Sequence, residues 1–170
     1  MRILVAVIGL LLSLSAAADP VRVAVAANFA KPLETLVALY QRDHPDADIE
    51  TTVASTGKLA AQIRRGAPFD IFLAADARRP EELDQEGLGV DGSRRIYAMG
   101  RLALWSKQDG LDLGPALLKS GDISPLALAN PRLAPYGAAG QAVIDHLGLP
   151  DSVNIVQGEN VGQAWHYASS

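Results

Sequence analysis

The chain contains no cysteine, so no disulfide can hold the fold, no thiolate can act as nucleophile or metal ligand, and lipid attachment through cysteine is excluded. Aromatic residues are scarce at 5%, and 15 Lys+Arg stand against 19 Asp+Glu for a net charge of −4. A mildly acidic, aromatic-poor chain is not a nucleic-acid binder by bulk electrostatics, and it cannot draw in an anion by net charge either. The histidines, His44, His146 and His166, lack the paired spacing of a metal site. No G-x-S-x-G elbow is present. Ser55-Thr56-Gly57-Lys58 ends like a phosphate-binding loop, but Thr52 stands where the first glycine is required and Leu59 follows the lysine. Asp70 and Asp76 flank an expected strand and read as turn or cap residues. With no acid–base constellation in view, the expectation is a protein that catalyses nothing and holds no metal directly and no cofactor.

The one long apolar run is N-terminal. Arg2 precedes a stretch from Ile3 to Leu14 that is almost wholly apolar, and small residues Ser15 to Ala18 come next, before Asp19-Pro20. These are the regions of a secretory signal peptide, and the run is shorter than the about 20 residues a membrane span needs. Residues 1–18 are therefore predicted to be a cleaved signal, leaving an exported mature protein with no membrane insertion of its own. The mature portion is long enough for one ordinary domain or two small lobes.

Along the mature chain, strand and helix patterns alternate. Val21–Ala27, Asp48–Ala54 and Phe69–Ala75 read as strands, the last nearly continuous in apolar character, as a strand covered on both faces would be. Between them, Phe29–His44 places Leu33, Leu36, Val37 and Tyr40 on one helix face, and Pro45 stops it. Leu59–Arg65 and Arg79–Glu86 read as helices ended by Gly66 and Gly87. Ile96–Trp105 is predicted to be a longer strand, crossing between lobes. Leu113–Lys119, Pro125–Ala129, Ala138–Leu147, Val153–Val156 and Val161–Ser169 repeat the alternation, with Trp105 and Trp165 expected in packing roles. Such a pattern gives an α/β fold with parallel-type sheets and helices on both faces.

Four strand-to-helix junctions carry the candidate chemistry: Ala26-Ala27-Asn28, Ser55-Thr56-Gly57, Pro135-Tyr136-Gly137 and Gly158-Glu159-Asn160 before Val161. Each presents unpaired backbone N–H groups and the positive end of a helix dipole, which is the chemistry of an anion site. Taken singly, each is also an ordinary helix cap worth about 1 kcal/mol. Lys58 reads as a solvated helix residue, and the Glu159 side chain is expected to point away.

The segments VAVAANFAKPLETL, VASTGKLAAQIRRGAPFDIFLAAD, LALANPRLAPYGAAGQAVIDHLGL and VQGENVGQAWHYA together resemble the periplasmic molybdate-binding proteins of ABC importers. The resemblance runs in order through the mature chain, and its middle block is the most specific part. It implies a two-lobed periplasmic binding protein fold, with lobe 1 at residues 19–100 and lobe 2 at 101–170. It also implies that Ala27, Asn28, Thr56 or neighbouring Ser55, Tyr136 and Val161 contact the anion. Members of the family continue beyond the position of Ser170, so the second lobe is expected to be incomplete here and the first to lack its return segment. The implied ligand is molybdate or tungstate, the implied partner an ABC transporter membrane permease, and the implied state a monomer. Sulfate or phosphate on the same fold, or an enzyme or sensor built on it, are the alternatives. A tetrahedral dianion without a proton needs donors only, which suits junctions whose caps are neutral.

Overall fold

Val21–Ala26 (β1) is a run of small and β-branched residues that becomes the central strand of a parallel sheet ordered β2-β1-β3, with β2 at Ile49–Ala54 and β3 at Ile71–Leu73. This computed structural model describes residues 19–170; the expected signal segment, 1–18, lies outside the described residues. Because side chains alternate along a strand, Val23 and Val25 face one side of the sheet. There they pack with Leu33 and Val37 of helix α1 (Ala30–Asp43). Ala24 and Ala26 face the other side, where their small size admits helix α2 (Thr56–Arg64) with Leu59 and Ala60 buried beneath it. A third helix, α3 (Arg78–Gln85), packs beside α2 and buries Leu83.

The expectation that Phe69–Ala75 is the strand covered on both faces does not hold; that strand is β1. β3 is only three residues long, lies at the sheet edge, and leaves Ile71 46% exposed. Apolar character alone cannot distinguish a central strand from an edge strand.

The second unit is built on a separate parallel pair, β4 (Leu126–Ala129) and β5 (Ile155–Gly158), which shares no strand with the first sheet. Helix α4 (Pro115–Ser120) precedes it. Helix α5 (Pro135–Leu147) lies against β4 through glycines: a Cβ on Gly137 would stand 2.2 Å from the Ala129 carbonyl oxygen, and one on Gly140 would stand 2.4 Å from Leu128 Cδ1. Helix α6 (Val161–Ser169) covers both strands, with Ala164 buried.

The expected strand Ile96–Trp105 is absent. Residues 93–106 carry no regular structure, and Ile96 and Met99 are 76% and 85% exposed. Its β-rich composition finds no ladder partner among the described residues, and a strand without one leaves its backbone groups to water. Side chains anchor the span instead. The Tyr97 hydroxyl donates to the Ala74 carbonyl at 2.8 Å, and its ring meets Phe29 edge-on at 4.9 Å. Burial pushes the Tyr97 phenol above its ordinary pKa, with nearby Tyr136 adding to the effect. Trp105 and Trp165 do not pack into a core; they lean on each other at the surface, ring centres 6.4 Å apart and both exposed.

Candidate functional site

Three of the four junctions form as the sequence predicts. Ser55 is the N-cap of α2: its backbone is extended, and the Lys58 N–H donates to Ser55 Oγ at 3.4 Å. Asn160 caps α6, with the Gln163 N–H donating to Asn160 Oδ1 at 3.0 Å. Helix α5 opens on Pro135 after extended Ala134, a position where proline's missing N–H costs no hydrogen bond. The first junction differs. Ala27–Phe29 is a short 3-10 turn, α1 begins only at Ala30, and Asn28 is not a cap. The β-strand runs straight into the turn, which leaves the Asn28 amide clear of capping work.

These junctions meet. Ala27, Asn28, Ser55, Thr56, Tyr136 and Val161, drawn from both sheets, line one small cavity, together with Ala26, Ala75, Ala134, Pro135 and Asn160. Its free volume is about 10 Å³, room for the centre of about one water-sized sphere. No carboxylate or cationic side chain is among its walls. Parallel strands bring this about: all their carboxyl ends point to one edge, and each following helix starts there.

The donors can be counted by what is already engaged. The first turn of a helix has no intrahelical acceptors for its N–H groups. In α2 the Gly57 N–H donates across to the Leu133 carbonyl at 2.9 Å and the Lys58 N–H to its cap, so the Thr56 N–H is left for the cavity. In α5 the first available N–H is that of Tyr136, and in α6 it is that of Val161. Thr56 is fully buried, and its Oγ1 accepts from the Ala75 N–H at 3.1 Å. That bond anchors the loop after β3 and leaves the hydroxyl proton free to point elsewhere. The Tyr136 hydroxyl rests against Gly100, where a Cβ would come within 2.3 Å of it.

None of the charged residues singled out in the sequence lines the cavity. Lys58 is not simply solvated: its Nζ pairs with Glu159 Oε2 at 2.6 Å, joining α2 to the loop before α6. Asp76 Oδ1 caps the Arg79 N–H at 3.0 Å, and Asp70 Oδ2 accepts from the Arg22 N–H at 2.7 Å, both structural roles. His44 stacks on Tyr40 at the surface, ring centres 4.3 Å apart. Among the described residues no cluster of His, Asp or Glu has the arrangement of a metal site. Sequence reasoning passed over Arg79, which is buried and reaches the second unit; only its amphipathic spacing within α3 was legible.

The sequence profile of bacterial extracellular solute-binding proteins matches residues 21–170. The molybdate-binding protein ModA of Azotobacter vinelandii is 41% identical over 172 residues, which take in 99% of this chain and 68% of that protein. ModA of Rhodobacter capsulatus is 39% identical over 162 residues, or 94% of this chain and 64% of that one. In three dimensions, the Azotobacter vinelandii periplasmic molybdate-binding protein superposes with a TM-score of 0.77 at 36% identity, covering 88% of this chain and 66% of its own. The chain thus spans about two thirds of the length of these relatives.

Proposed function

This chain belongs to the bacterial extracellular solute-binding proteins and has the two-lobed periplasmic binding protein fold, and on that premise we propose that it captures molybdate, or tungstate, as a tetrahedral dianion between its lobes. The observation that carries this reading is the convergence of four helix-opening junctions from two sheets on one uncharged cavity. Such a site offers donors and no acceptor charge, so it suits an anion with no proton to give. Charge-assisted hydrogen bonds of about 1.5–3 kcal/mol each from several such donors outweigh the ordering costs of capture.

Within that proposal, the backbone N–H groups of Thr56, Tyr136 and Val161 and the turn at Ala27 and Asn28 hold the anion, and the Ser55 hydroxyl adds a donor. Thr56 contributes through its N–H and anchors the loop after β3 through its hydroxyl oxygen. Tyr136 likewise acts through its N–H, its hydroxyl being turned to Gly100. Smaller sulfate would leave donors under-contacted, while protonated phosphate would aim a hydrogen at a site without a charged acceptor. Delivery to the membrane permease of an ABC importer, residence in the periplasm after removal of residues 1–18, a monomeric state and a lobe boundary near 100/101 complete the proposal.

The test is a panel of oxyanions read by melting temperature. Molybdate and tungstate should raise it, and sulfate and phosphate should do so only weakly. Stabilisation by phosphate with molybdate inert would overturn the reading.

A further inference from the structure

The two lobes also meet at a seam made by residues that do not line the cavity. The Arg79 guanidinium is only 11% exposed, held by Asp76 Oδ2 at 2.5 Å within its own lobe. Its Nη2 donates to the Arg132 carbonyl of the second lobe at 3.2 Å. Next to it, the Gly57 N–H donates to the Leu133 carbonyl at 2.9 Å. A Cβ on Gly57 would lie 2.9 Å from that same oxygen and 3.3 Å from Arg79 Nη2, so the seam closes because position 57 has no side chain.

The two carbonyls belong to the loop between β4 and α5, three or four residues before Tyr136. Gly57 directly follows Thr56. The seam therefore ties the first turn of α2 to the approach to α5, the two junctions whose N–H groups must aim at one point. We propose that Arg79 is a positioning residue for the oxyanion site: with Asp76 it holds the Arg132–Leu133 carbonyls against α2, keeps the lobes closed, and so governs anion release. A planar fork can serve Asp76 and a carbonyl at once, whereas an ammonium on a shorter reach cannot. The pair is buried, so water competes little for either bond. This inference rests on the oxyanion reading above.

The experiment compares wild type, Arg79→Lys and Gly57→Ala with Arg78→Ala, a neighbour whose ion pair with Glu82 stays within α3. Molybdate association and release are followed by stopped-flow tryptophan fluorescence on the full natural chain, and protection of the Gly57 N–H by hydrogen exchange. Arg79→Lys should release molybdate about tenfold faster or more, the loss of one charge-assisted bond, with the association rate within about twofold. Gly57→Ala, which pushes the same seam apart from the other side, should behave alike, and Arg78→Ala should release like wild type. Loss of Gly57 protection in Arg79→Lys accompanies the expected result. Wild-type release from both seam variants, with wild type binding molybdate, would overturn the positioning role alone. Should wild type fail to bind molybdate, the oxyanion reading falls and the positioning role with it, while Gly57 protection still reports whether the seam forms.

Discussion

The two lobes are held together internally by different means. The first is laced with ion pairs: Arg64 with Glu82 and Glu86, Arg78 with Glu82, Arg94 with Asp84, Arg22 with Glu50, and buried Arg79 with Asp76. Its largest fully buried side chains, Leu59, Val25 and Thr56, are also the largest of all the described residues. The second lobe has no internal ion pair among the described residues. It relies on backbone-to-backbone approach, with α5 laid on β4 over Gly137 and Gly140 and α6 set on Gly158. The first lobe is thus a charge-braced platform, and the second is a close-packed glycine unit seated on it through the 130–136 loop. Tolerance to change should differ accordingly.

Gly137→Ala should do the greatest harm. The added methyl meets the backbone of Ala129 and Asn130, which cannot rotate aside as a side chain can. We expect a loss of about 3 kcal/mol, read from urea unfolding, despite the better helix propensity of alanine. The same change at Gly140 meets only the tip of the Leu128 side chain. It should be far milder, and equal costs at the two sites would show that the close approach at β4 does not govern this lobe.

In the first lobe the corresponding weak point is a hydrogen bond. Thr56→Val keeps the shape but strands the Ala75 N–H. About 1–3 kcal/mol of stability should go, measured with no anion present. Ser55→Ala is its complement: it removes a cap worth about 1 kcal/mol and the hydroxyl donor, so molybdate binding should weaken by about 1–3 kcal/mol. If calorimetry shows Thr56→Val losing affinity and Ser55→Ala keeping it, the two hydroxyls have been assigned in the wrong order.

Smaller effects separate exposed charge from buried charge. Lys58→Met should alter stability by about 1 kcal/mol or less, since both partners of that bridge are well exposed. Any change in release rate should shrink further as salt is raised. The Arg64 guanidinium holds the Glu86 and Glu82 carboxyls below their ordinary 4.5. Groups depressed on folding stabilise above the unfolded pKa, and that contribution is lost as pH falls through the folded value. Wild type should therefore be slightly more stable than Arg64→Met from about pH 4.5 up to neutrality, and the two should converge as pH falls through the folded values of these carboxyls, read from urea unfolding across that range.

Much of this architecture was legible beforehand. The strand and helix periods located β1, β2 and all the helices to within a few residues. Capping chemistry marked Ser55 and Asn160, because an N-cap is a local device that depends on its own next three residues. Asn28 shows the limit of that signal. The same residue type before a helix became part of a 3-10 turn, since how a strand is handed to a helix depends on what packs above it. Ile96–Trp105 shows another limit. Strand propensity describes fit to a pleated surface, and without a neighbouring strand the segment is tethered by Tyr97 instead.

What the sequence determined by itself is local or periodic: an α/β alternation, small or donor-bearing residues at four helix starts, and the glycines that permit close approach. Those properties arise from side-chain volume and backbone freedom within a few residues of each other. Only the tertiary structure decided that the four helix starts share one cavity, that β1 and not the 69–75 segment lies at the centre of its sheet, and that Arg79 bonds across to the Arg132 carbonyl. Each of these depends on strand order and on contacts between residues dozens of positions apart, which no local pattern encodes.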